Sequence, residues 1–155
     1  MANKVIRDWN TGVTKTYQDN GDGSHSEIII ARPPVADPVV IPSYQAVVIV
    51  ANGNGADIDV SKYVELDVFI NITAVSGTTP TVVFNLDTKS EDAAPAYGSI
   101  FTSSAQTGTG LVISSVGPGT ANAKGFGRTV RFRWSAIGGT APSFTVSFTL
   151  VGKYA

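Results

Sequence analysis

The segment Ala74-Val75-Ser76-Gly77-Thr78-Thr79-Pro80-Thr81 recurs without a gap as Ala136-Ile137-Gly138-Gly139-Thr140-Ala141-Pro142-Ser143, an offset of 62 residues counted from 74 to 136. The flanks stay in register. Val68, Ile70 and Ile72 precede the first copy as Val130, Phe132 and Trp134 precede the second. Val82, Phe84 and Leu86 follow the first as Phe144, Val146 and Phe148 follow the second. Apolar side chains at every second position read as strands with one buried face. The Gly/Thr/Pro run between them carries turn chemistry. Each copy is therefore expected to be a strand–turn–strand unit, and the two to present the same inward face.

Working outward, the alternation also takes in Val64, Leu66 and Leu150, and shorter strand candidates lie at 44–50, 97–103 and 111–116. Turn residues separate them: Asn52-Gly53-Asn54-Gly55, Gly117-Pro118-Gly119 and the two echoed runs. Nothing of ten or more residues shows helical periodicity with caps. Each Val, Ile, Leu or Phe fully buried on these faces contributes about 1.5–3 kcal/mol. The expected fold is all-β: an antiparallel β-sandwich, jelly-roll or immunoglobulin-like, over residues 43–155.

Residues 1–42 read differently. Arg32-Pro33-Pro34 and Asp37-Pro38 impose extended geometry. Ile28-Ile29-Ile30 places apolar groups on both faces of a strand, so both need cover. This predicts an extended N-terminal arm with short strands that docks on a partner through Trp9, Tyr17, Ile28, Ile29, Ile30 and Arg32. The alternative is that the isoleucine strand completes a sheet inside its own domain.

Bulk properties narrow the function. Charged residues make up 15% of the 155, against a usual share of about 25%. A net charge of −1 leaves no electrostatic footprint for nucleic acid. Arg131 and Arg133 alternate with apolar residues, which marks the solvent or interface face of a strand. The absence of cysteine removes disulfides, thiolate metal sites and thiol catalysis. The first nine residues lack a signal peptide's apolar core, and no stretch approaches the ~20 apolar residues of a membrane span. Synthesis in the cytoplasm, with no membrane partner, is expected.

No motif supports a catalytic centre or a cofactor. Aligning Asn20, Asp22 and Gly23 to a calcium loop puts Ile29 where an oxygen ligand is required, so Asp19-Asn20-Gly21-Asp22-Gly23 reads as a turn. His25 is the only histidine, and Ser24 and Ser26 beside it would point to opposite faces of a strand. Asp57 with Asp59, and Glu91 with Asp92, sit in turn and loop contexts rather than as a glycosidase pair. Trp134 falls on the apolar register of its strand and belongs to the core. Tyr63 and Tyr97 are looser candidates for stacking on sugar.

The stretch from Tyr17 to Glu27, followed by the Ala74–Pro80 segment and a closing hairpin over 138–150, resembles small accessory virion proteins of tailed bacteriophages, in particular capsid decoration (cement) proteins. The resemblance implies a protein of the capsid exterior. It would be a homotrimer bound to the major capsid protein, with arms that clamp neighbouring capsid subunits and no catalytic residue. Two rivals share the sandwich: a tail or baseplate component, and a carbohydrate- or receptor-binding module using aromatics near the loops 87–97 and 117–127.

Overall fold

The structure is a computed structural model that describes residues 4–7, 14–19, 25–29, 38–41, 44–92 and 94–154. The chain divides into two compact units, Met1–Val35 and Ala36–Ala155. In the first, β1 (Lys4–Arg7), β2 (Thr14–Asp19) and β3 (His25–Ile29) form an antiparallel meander in the order β1-β2-β3. Lys4 pairs with Tyr17, while Ile28 and Ile29 pair with Thr16 and Lys15 of β2.

The second unit contains β4 (Val39–Ile41), β5 (Val47–Ile49), β6 (Gly53–Asn54), β7 (Ile58–Asp59), β8 (Glu65–Lys89), β9 (Tyr97–Thr102), β10 (Gly110–Val116) and β11 (Thr129–Lys153). Every pairing between these strands is antiparallel, and the described residues contain no helix. They form one curled sheet, a half-barrel, whose spine is the β8–β11 pair.

That spine corrects the sequence expectation of two hairpins. The echoed runs do not reverse the chain. They lie inside two 25-residue strands and pair with each other: Ser76 with Ser143, Thr78 with Thr140, and Thr81 with Gly138. The Gly/Thr/Pro runs that suggested turns instead shift the register of the ribbon, at positive φ angles. Gly77 (105°) and Thr79 (50°) match Gly139 (101°) and Ala141 (50°), at the same offset of 62. Pro80 and Pro142, which have no N–H to give, fall where the ladder skips.

The echo is thus a local two-fold relation. Adding 62 to one partner and subtracting it from the other turns Ile70↔Phe148 into Phe132↔Leu86, and Ile72↔Val146 into Trp134↔Phe84. Thr78↔Thr140 maps onto itself and marks the centre. There the backbones approach so closely that a Cβ on Gly77 would lie 2.6 Å from the Ala141 carbonyl oxygen. One on Gly139 would lie 2.6 Å from the carbonyl oxygens of Thr78 and Thr79.

On one side of this centre, residues 65–74 of β8 and 144–153 of β11 are flanked by β10 and by β4 and β5; this is the β10 half. On the other, residues 81–89 and 129–135 are flanked by β9 and by β6 and β7; this is the β9 half. The expected alternation is obeyed in both. Leu66, Val68, Ile70, Phe144, Val146, Phe148 and Leu150 of the β10 half are fully buried, as are Val82, Phe84, Leu86, Val130 and Phe132 of the β9 half. Phe148 joins them, its ring centroid 5.7 Å from Phe84, 4.7 Å from Phe132 and 5.7 Å from Trp134. The curl therefore brings the two halves onto one core.

The local two-fold makes a direct prediction. Gly77→Ala and Gly139→Ala should each destabilise by about 1–3 kcal/mol, by nearly equal amounts, because each puts a Cβ against backbone at a left-handed φ. Gly98→Ala in β9, where nothing lies within 4 Å, is the control and should be near neutral. Urea unfolding midpoints measure all three; one silent glycine would break the equivalence.

Candidate interaction face

Because side chains alternate, the residues between core positions point away from the core, and the two halves treat this outer face differently. On the β9 half the sheet seals itself. Asp87 is 2% exposed and Asn85 3%, although both lie opposite the apolar register. Arg133 grips Asp87 bidentately, with Nε 2.7 Å from Oδ2 and Nη2 3.1 Å from Oδ1. That bond pushes the Arg133 guanidinium further above its ordinary range. Asn85 donates to the Ser135 hydroxyl at 3.1 Å and accepts from the Thr102 hydroxyl at 3.0 Å.

The rim of this face is latched as well. Arg131 lies over the Tyr97 ring, its guanidinium carbon 3.4 Å from the centroid. The Tyr97 hydroxyl donates to Asp57 Oδ1 at 2.6 Å, and Lys89 Nζ donates to Asp57 Oδ2 at 3.0 Å. The Tyr97 hydrogen bond, then that of Lys89, holds the Asp57 carboxyl below its usual value of 3.8. An aromatic ring covered by a guanidinium and tied through its hydroxyl has one face committed.

The β10 half presents the opposite. Its outward residues run in rows across the strands: Leu111–Asn71–Ser147, Ile113–Phe69–Thr149, and Ser115–Asp67–Val151–Val40. Leu111 is 56% exposed, Ile113 61%, Val40 63% and Val48 62%. Charge is confined to one end, where Lys153 pairs with Glu65 and, at 3.1 Å, with Asp67, which also accepts from the Ser115 hydroxyl at 2.6 Å. The middle of the face is apolar groups interleaved with small hydroxyls and one amide. These exposed apolar side chains make the outer face of the β10 half the candidate interaction face.

Of the partner-docking residues expected from the sequence, Trp9, Ile30 and Arg32 lie outside the described residues. Tyr17 lies in β2, and Ile28 and Ile29 in β3. His25 begins β3 opposite Asp19, and the Asn20–Gly23 turn lies outside the described residues. Trp134 is half-buried against the core, stacked on Phe148, with Nε1 donating to the Ala51 carbonyl at 3.1 Å. Asp59, Glu91 and Asp92, from the two carboxylate pairs of the turn and loop segments, have local partners. Asp59 accepts from the Ser61 N–H at 2.9 Å, Glu91 from the Arg128 N–H at 2.8 Å, and Asp92 from the Ser90 hydroxyl at 3.1 Å. Among the described residues no group of three His, Asp or Glu side chains is placed to hold a metal ion.

Leu111 and Ile113 were not singled out from the sequence. Leu111-Val112-Ile113-Ser114-Ser115-Val116 has apolar residues on both parities, so its pattern does not say which set faces in. Pairing with β8 decides it, by aligning Val116 with Leu66 and Val112 with Ile70.

No protein-family model matches the chain, and no curated protein matches it.

The contrast between the faces predicts two different responses. Asp87→Ala strands Arg133 and should cost about 2–3 kcal/mol, below the full penalty for a buried pair because Arg133 is a third exposed. Ile113→Ser should stay within about 0.5 kcal/mol of wild type. Equal losses in chemical denaturation would contradict the assignment of the two faces. The Asp57 latch carries a pH signature. A depressed carboxyl contributes stability above its unfolded value and loses it as pH falls through the folded one. The stability gap between wild type and Tyr97→Phe should therefore close as pH drops below 3.8, and a gap constant with pH would exclude the latch.

Proposed function

We propose that this chain is a non-catalytic structural protein whose work is to bind a large protein partner, and that it is an accessory virion protein of the tailed-phage decoration type. The observation that supports the binding role is the set of exposed apolar side chains on the β10 half, with charge only at its Glu65–Asp67–Lys153 end, beside a β9 half whose Asp87 and Asn85 are bonded internally. Apolar groups on paired strands bind with less backbone ordering than groups on a loop, and the interleaved hydroxyls can supply hydrogen bonds to a partner. The virion setting is supported by the resemblance of the 17–27, 74–80 and 138–150 stretches to that class.

In this reading the partner is the major capsid protein and the site is the capsid exterior, reached after synthesis in the host cytoplasm. The curled sheet serves as the sandwich module. Residues 1–42 act as an arm that uses Trp9, Tyr17, Ile28, Ile29, Ile30 and Arg32 to reach a neighbouring subunit. A homotrimer multiplies these contacts, so that individually weak ones hold against internal pressure. Neither nucleic acid nor membrane takes part.

The test is to add purified protein to heads that lack it, then measure occupancy and resistance to heat. Saturable binding, raised heat resistance, and loss of both in Leu111→Glu/Ile113→Glu with the fold intact are expected. Deleting residues 1–30 should weaken attachment while leaving the second unit folded. Binding to tails and not to heads would overturn the capsid assignment, and full binding by the double variant would overturn the role of the face.

A further inference from the structure

The edge strands of the second unit differ in how they are guarded. An edge carries N–H and C=O groups that template a further strand, and short strands, bulges, prolines and charges are what block it. Strands β4 to β7 are only two or three residues long. β9 shifts register against Leu86 and Asp87, and Lys124 Nζ donates to its Ser99 carbonyl at 3.3 Å. β10 has none of these devices. Gly110-Leu111-Val112-Ile113-Ser114-Ser115-Val116 holds one unbroken register with β8 and contains neither proline nor charge.

The direction of the β10 backbone follows from its contacts with Asn122. The Asn122 side-chain amide donates to the Ser115 carbonyl at 3.4 Å, and the Gly117 N–H donates to the Asn122 carbonyl at 3.2 Å. Ser115 and Gly117 therefore turn their backbone away from β8. Backbone groups alternate sides along an antiparallel strand, so those of Leu111 and Ile113 face away from β8 too. Among the described residues no strand pairs with them. Asn122 bridges to Val116 and closes the edge at that end, which leaves residues 110–114 open.

A strand that fits this opening is uncharged, carries apolar groups two residues apart on the outer face, and sets a small residue beside each end. The same segment of a second copy meets all three conditions. Turned about a two-fold axis at Val112, it places Leu111 opposite the second copy's Ile113, and Ile113 opposite its Leu111, as hydrogen-bonded pairs. Val112 meets its own counterpart, and Gly110 meets Ser114. The two outward side chains, 56% and 61% exposed, then pack across the junction, and the full open length is used.

We propose that two copies of this chain pair edge to edge through antiparallel β10 strands centred on Val112, so that one sheet runs through both. The contact does not rest on the capsid reading. It is two-fold, and so is separate from the three-fold contact of a trimer. So short an interface is weak, and its occupancy depends on concentration.

The chain has no cysteine, so a single introduced thiol reports this contact alone. The experiment is oxidative crosslinking of the full chain carrying Val112→Cys, read as disulfide dimer, together with amide hydrogen exchange of the unmodified chain in dilute and concentrated solution. Val112 is half-buried, whereas Val48 is 62% exposed, so random collision would favour Val48→Cys. The expected result is the reverse, with Val112→Cys dimerising at least tenfold faster. Adding Ile113→Lys, a charge on the edge, should slow it by a similar factor. Ser114→Cys is the register control and should stay slow, since its counterpart lies opposite Gly110. The amides of Leu111 and Ile113 should exchange several-fold more slowly in the concentrated sample, while those of Val112 and Ser114, which face β8, stay the same. Exchange keeps the test decisive if Val112→Cys folds poorly. Exchange of Leu111 and Ile113 that ignores concentration, or crosslinking of Val112→Cys no faster than of Val48→Cys, would overturn the proposal and leave the edge to a strand of another protein. Faster crosslinking of Ser114→Cys than of Val112→Cys would overturn the register.

Discussion

The structure of the second unit depends on the crossing of β8 and β11 at Thr78↔Thr140. At that point two backbones pass within a distance that only glycine allows, at Gly77 and Gly139, and both strands bend there. The bend lets one continuous ladder supply both sides of a core. Without it, the side chains of 66–72 and 144–150 would lie on one face of a long ribbon with those of 82–86 and 130–132, and would have nothing to bury against. Phe148 shows the consequence: it sits on one half and touches three aromatic rings of the other. The local two-fold follows from the same constraint, since two equivalent bends are needed for the strands to stay paired through the curl.

Once the inner face is filled, the outer face is left to distinguish the halves. Both face away from the core, yet only one is closed. On the β9 half, Asp87 held by Arg133, and Asn85 between Ser135 and Thr102, replace solvent with internal partners. Such a face offers a newcomer little, since any contact must first compete with bonds already made. On the β10 half, Leu111, Ile113, Val40 and Val48 meet water, and charge is held to the Glu65–Asp67–Lys153 end. A chain with few charged residues thus leaves four of its exposed large apolar side chains on this outer face, and the proposed binding role rests on them.

Much of this was legible in the sequence. The alternation from Leu66 to Ile72, through Val82 to Leu86, Val130 to Phe132, and Phe144 to Leu150 named residues that are buried, and Trp134 packs on the core as its register implied. Val64 did not follow; it precedes β8 and is 43% exposed. The echoed Gly-Thr-x-Pro runs were recognised, but their role was not. A reversal and a bulge both need glycine at positive φ, and local chemistry cannot separate them; the partner strand does. The outer faces were harder still. Arg131 and Arg133 read as an exposed or interface face because their partners, Asp87 and Tyr97, lie on other strands. The parity of β10 is ambiguous until β8 pairs with it.

The measurement that bears most directly on the account is the pattern of cross-strand backbone nuclear Overhauser contacts in solution. A continuous spine predicts contacts of Ile72 with Val146, Thr78 with Thr140 and Phe84 with Trp134, running through the glycine crossing without interruption. Contacts of 68–72 with 82–86, and of 130–134 with 144–148, would instead show two separate hairpins closed at the echoed runs, and would contradict it.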